Sequence, residues 1–340
     1  MARPQLSIVI NNYNYARFLP EALDNALAQA VAGDEILVVD DGSTDDSAAV
    51  LEGYARERGV RVIAQANSGQ LPAVRRGLRE ARGDVAVLLD SDDYFLPGYL
   101  ERLREIYDRH SQVDHVLAHA RPFGDDAVAV RDTTDHLAYM ALTDGPTGST
   151  RWAAALFQEY VGVPTSGNSF RLALREPLLE LTGLLQAPLP VDEAQARRLG
   201  ISATEASLPR QSADGAIVRA SSLLGANKYY DNTPGFAYRI HASNKYAGST
   251  DRGRAYLRRQ RKRQFAALVA DREGQALPPT CAEVSAEIRQ RSLPQNQRRR
   301  LRVRLFYARA MLSCRGGLLA KLGGIVTALC SRGRQAGASS

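Results

Sequence analysis

Short apolar runs alternate with amphipathic stretches through the first half of the chain. Such runs are typical of buried strands, and they fall at residues 6–10, 35–39, 60–64 and 85–89. Apolar residues at helical spacing predict helices near 18–30, 45–58, 71–81 and 97–109. This alternation indicates an α/β fold in which a mostly parallel sheet is flanked by helices.

Polar residues follow each of the four predicted strands, at positions 11–15, 40–41, 67–70 and 90–93. The carboxyl ends of parallel strands meet at one edge of a sheet, and α/β proteins bind their ligands at that edge. The sequence therefore predicts a ligand site there.

An acidic cluster follows the fourth predicted strand and contains Asp90, Asp92 and Asp93. Three carboxylates so close together repel one another unless a cation neutralises them, and oxygen ligands suit Mg²⁺ or Mn²⁺ bound to phosphates. The alternative is a solvated acidic turn ahead of a helix. The apolar strand before the cluster favours a metal site.

A second acidic segment begins with Asp40 and Asp41 and continues through Ser43, Thr44 and Asp45. A carboxylate at a strand end can accept a hydrogen bond from the N3–H of uracil or from a ribose hydroxyl. Ser43, Thr44 and Asp45 also suit a helix N-cap. Both interpretations can hold, since capping does not require Asp40 and Asp41.

The two acidic motifs, in this order and 50 residues apart, resemble those of the family 2 glycosyltransferases, which have the GT-A fold. The opening segment 7–14 is similar to the family's first strand and donor loop. Segment 67–70, followed by Ala73 and Gly77, resembles its third donor-binding segment. The resemblance is strong over residues 5–110.

The resemblance implies that Asp40 contacts the base, that Asp92 or Asp93 binds the metal, and that Asp90 supports the cluster or the ribose. The expected donor-binding residues are Asn11, Tyr13, Asp40, Asp41, Asn67, Gly69, Arg75, Asp90 and Ser91. The expected ligands of Mg²⁺ or Mn²⁺ are Asp92, Asp93 and His241. His241 can instead pair with the donor diphosphate or have a structural role.

One position departs from the family pattern. The family usually has Ala-Arg-Asn ahead of the glycine, whereas this chain has Ala73-Val74-Arg75-Arg76, so an arginine is displaced by one position or a donor contact is absent. The expected donor is a UDP-sugar. A dTDP-sugar offers a similar base edge, and a GDP-sugar fits less well.

The second half resembles the family more weakly, in segments 164–170, 212–214 and 238–244. Transfer to a hydroxyl requires a base that takes its proton, and a carboxylate within reach can do so. Asp214 is the favoured base, and the acidic pair Asp192 and Glu193 is the alternative. Asp214 can also be a helix-capping residue.

Other features of the second half are read from local patterns. Extended structure is expected at 113–118, 167–170 and 235–240, a helix at 152–160, and a loop at 143–150.

A strongly basic region ends the chain, since residues 252–334 hold 20 Lys/Arg and 4 Asp/Glu. Such a region indicates an anionic partner surface. Leu318, Leu319, Leu322, Ile325, Val326 and Leu329 share one helical face, which suits either a membrane interface or packing on the catalytic domain.

We therefore expect a GT-A domain over 1–250, with a donor half (1–110) and an acceptor half (111–250), and a basic helical region over 251–340. Three sparse cysteines argue against a disulfide framework or a zinc site and favour a reducing compartment. The expected location is the cytoplasm, with a peripheral position on the inner face of the cell membrane as one possibility.

The sequence thus predicts a metal-dependent, inverting transferase that moves a sugar to a hydroxyl of a glycan or lipid-linked acceptor. A catalytically silent scaffold that binds sugar nucleotides is the alternative. A dinucleotide-dependent oxidoreductase is rejected, because Asn11, Asn12, Tyr13 and Asn14 stand where its glycine-rich turn belongs. No nucleic-acid partner is expected, since nucleic-acid binding would not explain the acidic residues at the strand ends.

Overall fold

The computed structural model describes residues 3–157, 162–184, 212–241 and 278–331, together with a few isolated positions between them. The strands are β1 (Leu6–Asn12), β2 (Glu35–Asp40), β3 (Arg61–Ala64), β4 (Val85–Asp90), β5 (Tyr94–Phe95), β6 (His115–Gly124), β7 (Gly145–Gly148), β8 (Asn168–Arg171) and β9 (Lys228–Ile240). The helices of the first half are α1 (Leu19–Gln29), α2 (Ser47–Arg58), α3 (Gln70–Glu80), α4 (Tyr99–Arg109) and α5 (Ala127–Met140). Those of the second half are α6 (Arg151–Phe157), α7 (Arg175–Leu184), α8 (Ala213–Leu223), α9 (Cys281–Gln290), α10 (Gln297–Ser313) and α11 (Leu318–Cys330).

The described strands form one sheet in the order β3-β2-β1-β4-β8-β6-β9-β5, with β7 paired to β9. The four strands predicted from the first half are parallel to one another, as expected. Strand β8 is antiparallel to both β4 and β6, whereas β6 and β9 run parallel. The complete sheet is therefore mixed, and helices cover it.

The side chains of β1 explain how the sheet is covered on both faces. Leu6, Ile8 and Ile10 point into a core formed with α1 and α4, whereas Val9 points into a second core formed with α3, α7 and α8. Successive strand residues face opposite sides, so an unbroken apolar run fills both cores. The prediction of a sheet flanked by helices is confirmed.

One local prediction was wrong. Segment 143–150 was expected to be a loop, but Gly145–Gly148 is strand β7 and pairs antiparallel with β9. Glycine and proline usually interrupt strands, and this short edge strand is held by its pairing with β9.

The C-terminal helices α9, α10 and α11 pack around Trp152 of α6 in a third apolar cluster. Glu287 of α9 reinforces this contact. Its carboxylate accepts hydrogen bonds from the backbone N–H groups of Trp152 and Ala153 at 2.7 and 2.8 Å. These donors lie in the first turn of α6, where they have no partner within the helix. The predicted helical character is confirmed for 281–330.

The predicted domain boundary near residue 250 and the basic run at 258–263 lie outside the described residues. Within the part of the chain that is described, no helix combines the length and the apolarity needed to cross a membrane.

A buried polar group joins β6, β8 and α8. His115 lies with Nε2 3.1 Å from Oδ1 of Asn168 and with Nδ1 3.0 Å from Oγ of Ser221. Nδ2 of Asn168 donates to a backbone carbonyl, so Oδ1 is the acceptor and we assign the ring proton to Nε2. Burial, together with the charge of Lys228, lowers the pKa of His115 to about 3.

We expect this histidine to make the free energy of unfolding depend on pH. The unfolded chain binds a proton at the ordinary histidine pKa of about 6.5. The stabilisation is therefore complete above that pH and is lost as the pH falls toward the folded value. Between pH 7 and pH 5 it accounts for about 2 kcal/mol.

Urea unfolding of the wild type and of His115→Gln at the two pH values measures this contribution. The variant should lose about 2 kcal/mol less than the wild type over the interval. Equal losses in the two proteins would contradict the assignment.

Candidate active site

The turn after β4 gathers the three acidic residues of the predicted metal site. Asp90, Asp92 and Asp93 offer carboxylate oxygens that lie within 4.8 Å of one another, and they form the group of possible metal ligands found among the described residues. Two oxygens on opposite sides of Mg²⁺ are about 4.2 Å apart. The cluster is therefore close to the dimensions of a magnesium or manganese site, and its donor atoms are the hard oxygens that these ions prefer.

Amide and hydroxyl side chains hold this turn in place. Oδ1 of Asp90 accepts from Nδ2 of Asn11 at 2.9 Å and from Nε2 of Gln70 at 2.8 Å. Ser166, just ahead of β8, donates from Oγ to Oδ2 of Asp93 at 2.6 Å and accepts from the backbone N–H of Asp90 at 3.0 Å. Strands β1, β4 and β8 and helix α3 thus all position the cluster.

Burial and mutual repulsion raise the pKa values of this cluster. Burial, followed by the charge of Asp92, raises the pKa of Asp90 to about 7. Burial and the charges of Asp92 and Asp90 raise the pKa of Asp93 well above its usual range. These carboxyl groups lose their protons less readily than ordinary aspartates do. A bound cation favours their ionised form, because it supplies positive charge next to them.

His241 and Arg239 reach the cluster from the end of β9. Nε2 of His241 lies 2.9 Å from Oδ2 of Asp92, and the ring contacts Tyr15 and Phe18. Arg239 donates from Nε to the backbone carbonyl of Asp92 at 2.8 Å and pairs with Glu21 of α1. The structure therefore brings His241 to the predicted metal site as a partner of Asp92.

A cavity of about 390 Å³ is lined by Phe18, Phe123, Arg239 and His241, among others, and the last two of these residues are the partners of Asp92. Small-molecule sites typically occupy about 300–1,000 Å³. The cavity is thus large enough for part of a ligand, and its walls combine aromatic rings with a guanidinium group.

Asp40 organises the loop after β2. Its Oδ1 accepts from Nδ2 of Asn12 at 2.8 Å and from Oγ of Ser43 at 2.5 Å. Asn12 in turn accepts from Oγ of Ser91 at 2.9 Å, which connects this loop to the acidic turn. The base contact that the resemblance implies for Asp40 stays a prediction.

Asp41 holds the segment ahead of α3. Its carboxylate accepts from the backbone N–H groups of Ser68 at 2.9 Å and Gly69 at 2.7 Å. The next residue, Gly42, has φ +73°, and a Cβ atom there would lie 2.8 Å from the backbone nitrogen of Asn67. Two predicted donor loops therefore meet where only glycine fits without strain.

Asp214 lies in the first turn of α8, close to the acidic cluster. The neighbouring N–H of Ala213 donates to Oε1 of Gln70 at 3.2 Å, and the same amide group binds Asp90 through Nε2. The charge of Asp214 contributes to the raised pKa of Asp90, and burial raises the pKa of Asp214 itself. The alternative base residues, Asp192 and Glu193, lie outside the described residues.

Tyr238 of β9 begins the segment 238–244 that resembles the family, but the sequence alone assigned it no role in the site. Burial raises its pKa, as do the charges of Asp93, Asp90, Asp92 and Asp214, so its phenol group remains protonated. Its position among these carboxylates follows from the pairing of β9 with β6, a long-range contact that local patterns do not reveal.

The other predicted donor-binding residues are placed differently. Tyr13 and Asn67 are exposed in loops at the sheet edge. Arg75 is half-buried, and its Nη2 donates to the carbonyl of Leu179 at 3.0 Å, so it packs between α3 and α7. Its role in donor binding stays a prediction.

The fold and this edge define an α/β protein with an acidic, metal-compatible site at the strand ends. A family model described as Glycosyl transferase family 2 matches residues 7–177, half of the chain. The chain belongs to this family. The family resemblance noted in the sequence is confirmed.

Curated relatives agree with this assignment. An uncharacterized glycosyltransferase of Nostoc sp. is 33% identical over 248 residues, covering 71% of this chain and 66% of that protein. The undecaprenyl-phosphate 4-deoxy-4-formamido-L-arabinose transferase of Sodalis glossinidius is 42% identical over 108 residues, covering 30% of this chain and 33% of that protein. The chain thus spans about two thirds of the first protein's length and one third of the second's.

Among solved structures, S. aureus TarS 1-349 in complex with UDP-GlcNAc aligns with a TM-score of 0.47 and 16% identity, covering 96% of this chain and 89% of that one.

Replacement of Gly42 tests how the two predicted donor loops meet. We expect Gly42→Ala to lower the free energy of unfolding by about 1–3 kcal/mol, because of the positive φ and the close approach of the neighbouring backbone. We also expect weaker UDP binding, since the two loops must move apart. Urea unfolding and calorimetric titration with UDP measure these effects.

Gly53→Ala is the matched control. Gly53 lies within α2, and a Cβ atom there has no heavy atom within 4 Å apart from its own helix neighbours. Alanine should stabilise this helix by about 0.5–1 kcal/mol and leave UDP binding unchanged. Similar behaviour of the two variants would contradict the proposed strain at Gly42.

Proposed function

We propose that this protein is a metal-dependent, inverting glycosyltransferase that moves a sugar from a nucleotide-diphosphate sugar to a hydroxyl group. The observation that carries the proposal is the convergence of Asp90, Asp92 and Asp93 at the sheet edge in a chain of this family. A UDP-sugar is the proposed donor, and Mg²⁺ or Mn²⁺ is the proposed cofactor.

Asp92 and Asp93 would hold the divalent cation, with Asp90 as a third carboxylate and His241 beside Asp92. A divalent cation at this position supplies positive charge to the two phosphates as the nucleoside diphosphate leaves. Asn11 and Gln70 keep Asp90 oriented, so the protein has little to rearrange when a donor binds.

Asp214 is the proposed general base. A carboxyl group whose pKa is raised by burial accepts a proton more readily than an ordinary aspartate. The acceptor oxygen then attacks the anomeric carbon opposite the leaving phosphate, and a single displacement inverts the configuration. The proton moves from the acceptor hydroxyl to the Asp214 carboxylate as the new glycosidic bond forms.

The proposed acceptor is a glycan or a lipid-linked molecule, and the proposed location is the cytoplasm or the inner face of the cell membrane. The name of the Sodalis relative specifies undecaprenyl-phosphate, a lipid carrier. The basic C-terminal helices of this chain are compatible with catalysis close to an anionic membrane surface.

Donor hydrolysis tests the proposal. The protein is incubated with UDP-, dTDP- and GDP-sugars and Mn²⁺, and released nucleoside diphosphate is measured. We expect slow release from a UDP-sugar. In Asp214→Asn the release should fall by about 10²- to 10⁴-fold, because the amide cannot accept the proton. Binding of UDP should remain.

Asp132→Asn is the control, since Asp132 is an exposed residue of α5 paired with Arg131. It should release nucleoside diphosphate at the wild-type rate. Full activity in Asp214→Asn would show that another residue is the base. Binding of UDP and Mn²⁺ by the wild type, without release or transfer with any donor and acceptor, would favour the silent scaffold.

A further inference from the structure

Helices α10 and α11 expose an unusual concentration of apolar side chains. They carry eight of the fourteen large apolar residues that are exposed in the described part of the chain. Leu319 is 85% exposed and Leu312 is 62% exposed. We define the leucine face by Leu301, Leu305, Leu312, Leu319, Leu322 and Val326. Apolar surface concentrated in this way indicates an interaction site, whereas single exposed leucines do not.

The two helices form an antiparallel hairpin, so their exposed leucines are neighbours. Met311, near the end of α10, packs closely on Gly324 of α11, and Arg304, two turns earlier, donates to the carbonyl of Ser331 at 2.6 Å. Another side of α10 packs into the protein through Tyr307 and its neighbours in the third apolar cluster. The leucine face is therefore the side of the hairpin that lacks a described core contact.

Arginines accompany the exposed leucines. Arg298, Arg302 and Arg309 are exposed on α10, and Arg315 is exposed between the two helices. Residues 291–331 contain nine Lys/Arg and no Asp/Glu. The leucine face thus lies within a field of positive charge that no acidic residue of the same segment offsets.

We propose that the leucine face docks on an anionic lipid bilayer. In this arrangement the leucines enter the boundary between headgroups and acyl chains, and the surrounding arginines meet the lipid phosphates. This inference goes beyond the proposed function and does not depend on catalysis.

Charge complementarity selects this occupant over a second copy of the chain. A symmetric dimer through the leucine face would bring the same arginines of both copies together, with no carboxylate from residues 291–331 between them. Like charges at an interface oppose association. A nucleic acid would pair with the arginines but would leave the leucines exposed to water.

Vesicle sedimentation tests the proposal with the full chain. We expect binding to vesicles of phosphatidylcholine with phosphatidylglycerol, weakening as salt is added, and little binding to phosphatidylcholine alone. The double variant Leu319→Gln/Val326→Gln should reduce partitioning about tenfold or more. The double variant Arg302→Gln/Arg309→Gln should reduce partitioning about 30-fold, because each cation contributes about 1 kcal/mol to binding at an anionic surface.

Val128→Gln and Arg131→Gln are the matched controls, because both residues are exposed at the start of α5, whereas α5 contacts α10 at its last residue, Met140. Each should bind vesicles as the wild type does. All variants should retain UDP binding and thermal stability. A failure to bind vesicles then concerns the membrane inference alone, and a failure to bind UDP concerns the donor site.

Cys330 gives a direct readout at the end of α11, since it is exposed whereas Cys281 and Cys314 are buried. An environment-sensitive fluorophore on Cys330 should shift to shorter emission wavelengths when anionic vesicles are added. Absence of vesicle binding would overturn the proposal, as would wild-type binding by Leu319→Gln/Val326→Gln. A dimer that this variant converts to a monomer, without vesicle binding by either, would assign the face to self-association.

Discussion

The confinement of three carboxylates at the buried end of β4 is the constraint on which the site depends. Asp90, Asp92 and Asp93 repel one another, and burial strengthens that repulsion by removing water. The fold offsets part of it with donors from Gln70 and Ser166, which reach the turn from separate elements. A positive charge would relieve the repulsion that remains, so this edge suits a divalent cation and the diphosphate that the cation would bind.

The same hydrogen bonds connect the two halves of the protein. Gln70 opens α3 in the first half of the chain, and its side chain binds both Asp90 and the first turn of α8, where Asp214 lies. Strand β9 returns from the second half to place Tyr238 and His241 beside the acidic turn. The acidic turn and Asp214, which come from distant parts of the sequence, are therefore held by one short network.

Local sequence patterns predict the elements of this protein that are formed by continuous apolar runs. The apolar runs of β1 and β4 fill two cores, so their strand character and the polar residues at their ends were readable from the sequence. Helix α5 was not predicted, because none of its residues is fully buried and its contact with the core is limited to partly buried side chains such as Leu137. The insertion of β8 between β4 and β6, and the approach of Tyr238 to the cluster, depend on long-range pairing that periodicity does not encode.

Calorimetric titration of the protein with UDP, in Mn²⁺ and again after EDTA, measures whether the acidic turn uses a cation to hold a diphosphate. UDP should bind in Mn²⁺, and EDTA should weaken binding at least tenfold, or by about 1.4 kcal/mol. Asp93→Asn should bind UDP weakly under both conditions. Equal affinity of the wild type with and without the metal would contradict the account.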